Sequence, residues 1–271
     1  MKNLKKKEVD NYFDNGFIFP LNILNDQEVS DHQDFIQKSE AEKEFRFHGK
    51  NKPHLFCRST YKILTNEILL DKIESIIGKN ILLWDSAYLV KEPNDKKFVS
   101  YHQDLEYFGL SNPNFLAVWI AITDSNIDNG CVKFIPKSHK KGRMPHKNEN
   151  NKNNILIRGQ TLEVNDTESV NVILKPGQAS FHHGYLIHAS DKNYSNRKRV
   201  GLTAQYIATD NKQINLPGDS ALLVRGVDKF NYFKEDPVPK GDFLPESMVL
   251  QREVKEFKTK VYKIGELDKQ V

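Results

Sequence analysis

Apolar residues recur at helical spacing through the first 80 positions, and from Ile81 onward they gather into short, dense runs of strand length. The early pattern predicts three helices. One begins at KKEVDNYFDNG, and a second opens at Asn25 with Glu28 three positions on, a capping-box spacing. The third runs from Glu67 to Ile77, where Leu69, Leu70, Ile73, Ile76 and Ile77 form one stripe and Gly78 supplies the stop.

The later runs are ILLWDSAYLV, KFVSYH, FLAVWIAIT, CVKFIP, VNVIL, ASFHHG, YLIHAS and RVGLTAQYIA. Asn129-Gly130 and Pro176-Gly177 mark tight turns among them, and no helix of crossover length intervenes. Many strands without crossover helices predict a mainly β fold, an antiparallel sandwich or barrel flanked by N-terminal α-helices. We read one domain over 1–271: a mostly helical part over 1–80, a core over 81–210 and a C-terminal extension over 211–271 that carries no motif. The polar connection at about 137–168, rich in Asn and Lys, is read as a lid or substrate loop, with plain disorder as the competing reading.

Composition narrows the function. A hydrophobic content of 38% in 271 residues suffices for a sizeable core. The net charge of +4 is scattered, and the dense basic runs, Lys5 to Lys7 and Lys137 to Arg143, lack interleaved aromatics, so no nucleic-acid partner is expected. Cys57 and Cys131 belong to no CxxC pair, which argues against a disulfide framework and a thiolate zinc site. With no apolar run of signal-peptide or membrane length, a soluble cytoplasmic protein without a membrane partner is expected, as monomer or homodimer. The sequon at Asn193 is accordingly expected to stay unmodified.

Candidate chemistry begins with the triplet His-Gln-Asp, which occurs twice, at His32 to Asp34 and at His102 to Asp104. The first copy lies in a helical pattern, where residues two apart point about 200° apart and cannot readily share an ion. The second follows the strand-like KFVSY, where such residues project from one face. A third ligand must arrive from another strand, and His182, His183 and His188 are all candidates. Two histidines and a carboxylate form the facial triad of non-haem iron oxygenases, with positions left for a 2-oxo acid and oxygen. A 2-oxo acid brings a far carboxylate that needs a cation. Arg199 follows His188 by one short return strand and could serve, with Ser190 adding a hydroxyl; a surface arginine within Arg197-Lys198-Arg199 is the competing reading. Trp119, flanked on its strand face by Ala117 and Ala121, is either a ligand wall or a core tryptophan.

These residues together resemble the phytanoyl-CoA dioxygenase-like family. The stretches that carry the likeness are YHQDLEYFGL, AVWIAITDSNIDNGCVKFIPKSHKKG and LKPGQASFHHGYLIHASDKNYSNRKRVGL. The resemblance implies a double-stranded β-helix, the cupin-type jelly roll. It places the metal ligands on His102, Asp104 and His188, and the co-substrate contacts on Gln103, Trp119, Ser190 and Arg199. The chain has Ala189 and PKSH where the family usually has Gly and PGSH; neither change falls on a ligand. Asp104 argues against the halogenase relatives, which carry a small residue there.

The implied activity is Fe(II)- and 2-oxoglutarate-dependent, O2-consuming hydroxylation of an unactivated C-H in a small metabolite. YHQDLEYFGL with Arg158 to Gln160 looks most like the bacterial branch containing 2-aminoethylphosphonate dioxygenase; amino acids, betaine- or ectoine-like compounds and acyl groups are the alternatives. For an anionic substrate, His54, Arg58 and Arg158 are candidate contacts. The competing class is a metal-binding cupin or silent binding domain that uses no oxygen. A carboxylate clamp at Arg199 and Ser190 would discriminate against it.

Overall fold

The computed structural model describes residues 3–42, 46–149, 151–156 and 159–267. Helix α1, Lys6–Asn15, ends at Gly16, whose φ of 86° lies in the left-handed region. Helix α2, Asp26–Glu42, opens on the expected box: the Asn25 N-H donates to Glu28 Oε2 (2.8 Å) and the Glu28 N-H to Asn25 Oδ1 (2.9 Å). A short α3, Arg58–Leu64, precedes α4, Glu67–Ile77, which Asn66 caps and Gly78 stops. Four of the five stripe residues on α4, Leu69, Leu70, Ile73 and Ile77, are buried. Each such side chain contributes roughly 2 kcal/mol.

Strand β1, Phe17–Asn22, lies between α1 and α2, where the sequence pattern suggested only helices. The remaining strands are β2 (Ile81–Lys91), β3 (Val99–His102), β4 (Phe115–Ala121), β5 (Val132–Phe134), β6 (Lys147–Asn148), β7 (Gln160–Thr161), β8 (Val170–Val172), β9 (Gln178–His183), β10 (His188–Ser190), β11 (Arg199–Ala208), β12 (Ser220–Arg225) and β13 (Lys234–Glu235). A seven-stranded sheet in the order β1-β9-β4-β11-β2-β12-β13 faces a four-stranded sheet in the order β3-β10-β5-β8. The pairing is antiparallel apart from β12 with β13, and the two sheets form the expected jelly roll. Both flanks of the chain enter the larger sheet, β1 at one edge and β12 with β13 at the other. A one-turn α5, Leu105–Phe108, follows β3, and the 23-residue α6, Pro245–Leu267, packs against it and against the Pro53–Leu55 turn. Among the described residues no helix is long and apolar enough to cross a membrane.

Alternation sorts the larger sheet into two faces. Ser86, Tyr88 and Tyr206 point to the helical layer, where Tyr88 bonds His32 and Thr60, and Tyr206 bonds the Leu64 carbonyl. Lys91, Leu89, Ala87, Arg199, Gly201, Thr203 and Gln205 therefore point inward. The 137–168 connection packs on the outer face of the smaller sheet. Leu162 lies with Ile135 and Ile187, its N-H bonds the Tyr101 carbonyl (2.8 Å), and Phe98 bonds Asn153 and Ile155.

Candidate metal and co-substrate site

His102 ends β3 and His188 begins β10, and these two strands pair with the two histidines directly opposite each other. Their rings lie 4.1 Å apart. The Nδ1 atom of His102 is 2.9 Å from the Ser100 carbonyl, and that of His188 is 3.0 Å from the Leu186 carbonyl. A carbonyl only accepts, so both Nδ1 atoms carry the proton, and Nε2 is the ring atom through which each histidine would ligate an ion. Asp104, just beyond β3, brings Oδ1 to 3.5 Å from His102 Nε2 and 3.7 Å from His188 Nε2. The three ligand atoms all lie within 4.8 Å of one another.

Protonation suits metal binding. Burial pushes the Asp104 carboxyl up, but His188, His102 and His182 around it outweigh that and hold it well below the usual carboxylate range. Burial, followed by His102, presses His188 well below its ordinary value, so its imidazole is neutral. A carboxylate and two imidazoles on one side of a cavity fit a divalent iron.

The other two candidates separate cleanly. His182, on β9 of the opposite sheet, reaches Asp104 Oδ2 at 3.3 Å, while its own Nδ1 is buried without a partner. His183, one position on, faces outward against His139, and its Nδ1 accepts from the Tyr185 N-H. The decoy triplet behaves as its helical phase requires: His32 is buried between Ser59 Oγ (2.8 Å) and Tyr88 Oη (2.7 Å), while Asp34 is exposed.

Further along the interior lies a cationic recess. Arg199 on β11 sits opposite Lys91 on β2. Lys91 Nζ donates to Ser190 Oγ (2.8 Å) and to the Asp191 carbonyl, and Arg199 Nη1 donates to the Gly130 carbonyl. Both side chains are buried, and these bonds go to neutral oxygens. Burial first, and then the Arg199 charge, lower the Lys91 ammonium to about 6. Burial lowers Arg199 to about 10, which leaves it charged at neutral pH. A buried guanidinium, an amine that an arriving carboxylate would protonate and one hydroxyl make a recess suited to a carboxylate.

Trp119 forms the adjoining wall. The Arg199 guanidinium carbon is 5.3 Å from its ring centre, its Nε1-H is buried without a partner, and a Cβ on Gly201 would meet its Cζ2 at 2.0 Å. Only glycine allows the indole to lie flat on β11. The unpartnered Trp119 Nε1 and Arg199 Nε are donors suited to the oxygens of a bound oxo acid.

Residues 21–201 match the family described as phytanoyl-CoA dioxygenase (PhyH). The chain belongs to the phytanoyl-CoA dioxygenase family. Over 161 residues it is 27% identical to a probable alpha-ketoglutarate-dependent hypophosphite dioxygenase of Stutzerimonas stutzeri, covering 58% of this chain and 56% of that protein. It is 29% identical over 171 residues to the human peroxisomal phytanoyl-CoA dioxygenase, covering 60% and 50% respectively. The chain thus spans about half the length of the curated relatives it matches. Among solved structures, the non-heme monooxygenase ThoJ in its apo form superposes with a TM-score of 0.82 at 26% identity, covering 96% of this chain and 99% of that one. CytC3 with Fe(II) and alpha-ketoglutarate, at 20% identity and TM-score 0.64 over 90% and 97% of the two chains, shares the fold.

Several features of this phytanoyl-CoA dioxygenase family member depart from the residue-by-residue expectation. Lys91 escaped the sequence reading because its only signal is a lysine ending a strand; its place opposite Arg199 follows from strand register alone. The Gln103 amide is committed elsewhere. It donates to the Gly142 and Tyr185 carbonyls (both 2.8 Å) and accepts from the Met144 N-H (2.8 Å), so both amide hydrogens are spent and none is left for a carboxylate. Gln103 instead ties the metal motif to two loops.

His54 and Arg58 lie apart from the metal. His54 is buried on the helical face, its Nδ1 2.7 Å from Ser86 Oγ, and Arg58 opens α3 and lines a surface hollow with Asp31 and Asp242. A sheet separates both from the ligands, because the segment that carries them packs on the outer face. Arg158 lies outside the described residues.

Proposed function

We propose that the protein is an Fe(II)- and 2-oxoglutarate-dependent oxygenase that hydroxylates an unactivated C-H bond of a small metabolite, in the cytoplasm and without nucleic-acid or membrane partners. The observation that carries this reading is the pairing of Lys91 and Arg199 at Ser190, inside the barrel that holds His102, Asp104 and His188. A metal-binding cupin that uses no oxo acid has no reason to bury a guanidinium and an amine in the barrel that holds its metal ligands.

His102 and His188 would hold the iron through Nε2, with Asp104 completing the triad. Lys91, Arg199 and Ser190 would anchor the far carboxylate of 2-oxoglutarate, with Trp119 along its flank. Bound iron supplies, with O2 and 2-oxoglutarate, the oxidising power for hydroxylation, the oxo acid leaving as succinate and carbon dioxide. Phe17, Phe134 and Leu186 pack together between the sheets, with Phe134 against His182 and His188, and would exclude bulk water from the reacting centre.

An aminophosphonate is the favoured substrate. The YHQDLEYFGL stretch and the phosphorus substrate named for the Stutzerimonas relative support it; amino acids, betaines or ectoine-like compounds and acyl groups are the alternatives. Anaerobic protein with Fe(II) and 2-oxoglutarate should show a weak metal-to-ligand charge-transfer band that Asp104→Ala abolishes. Undiminished succinate release by His188→Ala would overturn the ligand assignment.

A further inference from the structure

Strand register aligns four inward positions across the larger sheet at the level of Asp104: His182 on β9, Ala117 on β4, Gln205 on β11 and Asp85 on β2. His182 fixes the height of this row, with Nε2 3.3 Å from Asp104 Oδ2. Neighbouring strands are about 4.8 Å apart, so the row runs roughly 10 Å from His182 to Gln205. Ala117 leaves a hollow in its middle. A register shift places Trp84 beside Asp85 at the far end: between Gln205 and Tyr206 the pairing skips Trp84, and both side chains meet Lys258.

Two independent observations mark this row as a binding wall. First, Ala87, Thr203 and Gln205 are partly solvent-accessible although they sit on central strands, so a water-reachable space adjoins them inside the barrel. The buried Nδ1 of His182 and Oγ of Ser180, on the same face of β9, have no hydrogen-bond partner. Buried polar atoms are rarely left unpaired without a ligand or water to meet them.

Second, the charge at the far end does not balance. Asp85, Asp219 and Asp236 are buried with Lys52 and Lys258: Lys52 pairs with Asp236 at 2.6 Å, and Lys258 lies 3.3 Å from Asp219 and 3.6 Å from Asp85. Among the described residues, three carboxylates face two ammonium groups. Asp85 is the weakest paired, and it is the one on the inward row. One uncompensated buried negative charge calls for a cation.

We infer that His182, Ala117, Gln205 and Asp85 form the primary-substrate wall, and that Asp85 with Gln205 takes a protonated amine of the substrate. The inference rests on the oxygenase reading above and adds the substrate's charge and orientation. The amine sits at Asp85 and Gln205, and a carbon a few bonds away lies over Ala117 toward Asp104.

The test uses protein loaded with Ni(II) and 2-oxoglutarate, which holds the site without turnover. Calorimetric titration compares 2-aminoethylphosphonate with ethylphosphonate, and a panel of amino acids with their deaminated acids. At least one amine should bind tenfold or more tightly than its partner. Asp85→Asn, which brings the buried cluster to neutrality and so should fold, should erase that preference, and Gln205→Leu should weaken amine binding. Ala117→Leu should block amine binding while 2-oxoglutarate affinity holds. Amine preference that survives in Asp85→Asn, or no amine preference anywhere in the panel, overturns the inference. Failure of 2-oxoglutarate itself to bind overturns the oxygenase reading instead.

Discussion

Binding of 2-oxoglutarate should draw in a proton at Lys91. In the free protein, burial and the neighbouring Arg199 hold this ammonium at about 6, so at pH 7.5 only about one molecule in thirty carries the charge. A carboxylate arriving at Lys91, Arg199 and Ser190 favours the charged form. Protonating Lys91 at pH 7.5 then costs about 2 kcal/mol, drawn from the binding energy. The sign follows directly: above pH 6 the free site is neutral at Lys91 and the bound site is charged, so affinity falls as pH rises, by about tenfold per unit. Titration calorimetry in buffers of different ionisation enthalpy should report close to one proton taken up at pH 7.5 and none at pH 5. Lys91→Met should weaken binding and remove the proton signal together. Equal affinity from pH 6.5 to 8.5 with no proton uptake would refute the placement of the carboxylate beside Lys91.

Two further substitutions probe the frame. Gly201→Ala drives a methyl into Trp119, so it should lower stability by about 1–3 kcal/mol and weaken 2-oxoglutarate at least tenfold; wild-type affinity in a titration would remove Trp119 from the clamp wall. Lys258→Met leaves Asp85 and Asp219 buried without their ammonium, and chemical denaturation should show a loss of about 3–5 kcal/mol. A loss below about 1 kcal/mol would mean that α6 docks by apolar contact alone.

Period separated the two His-Gln-Asp triplets before any coordinates: a 3.6-residue repeat splits His32 from Asp34, while the strand preceding His102 leads its side chain and that of Asp104 into one cavity. Period could not choose among His182, His183 and His188, since two of them face inward and only cross-strand register shows which meets His102. Lys91 was invisible for the same reason, its partner Arg199 lying over a hundred positions away. Strand β1 was missed because six residues with a proline between two helices read as a linker. His54 and Arg58 were plausible as cations, but nothing local tells which face of a sheet a preceding segment will cover. The α6 helix gave no usable signal because its buried members include Gln251 and Lys258, which break the apolar stripe.

Strand β2 has consequences on both its sides. Its outward residues Ser86 and Tyr88 hold His54 and His32, and its inward residues line the interior that holds the metal ligands. The sheet is thus a partition: the imidazoles of His32 and His54 are held one sheet away from the metal ligands, and so is the readily oxidised phenol of Tyr88. On the oxygenase reading proposed above, such shielding matters as much as the ligands. Here the two-residue repeat of a single strand provides it.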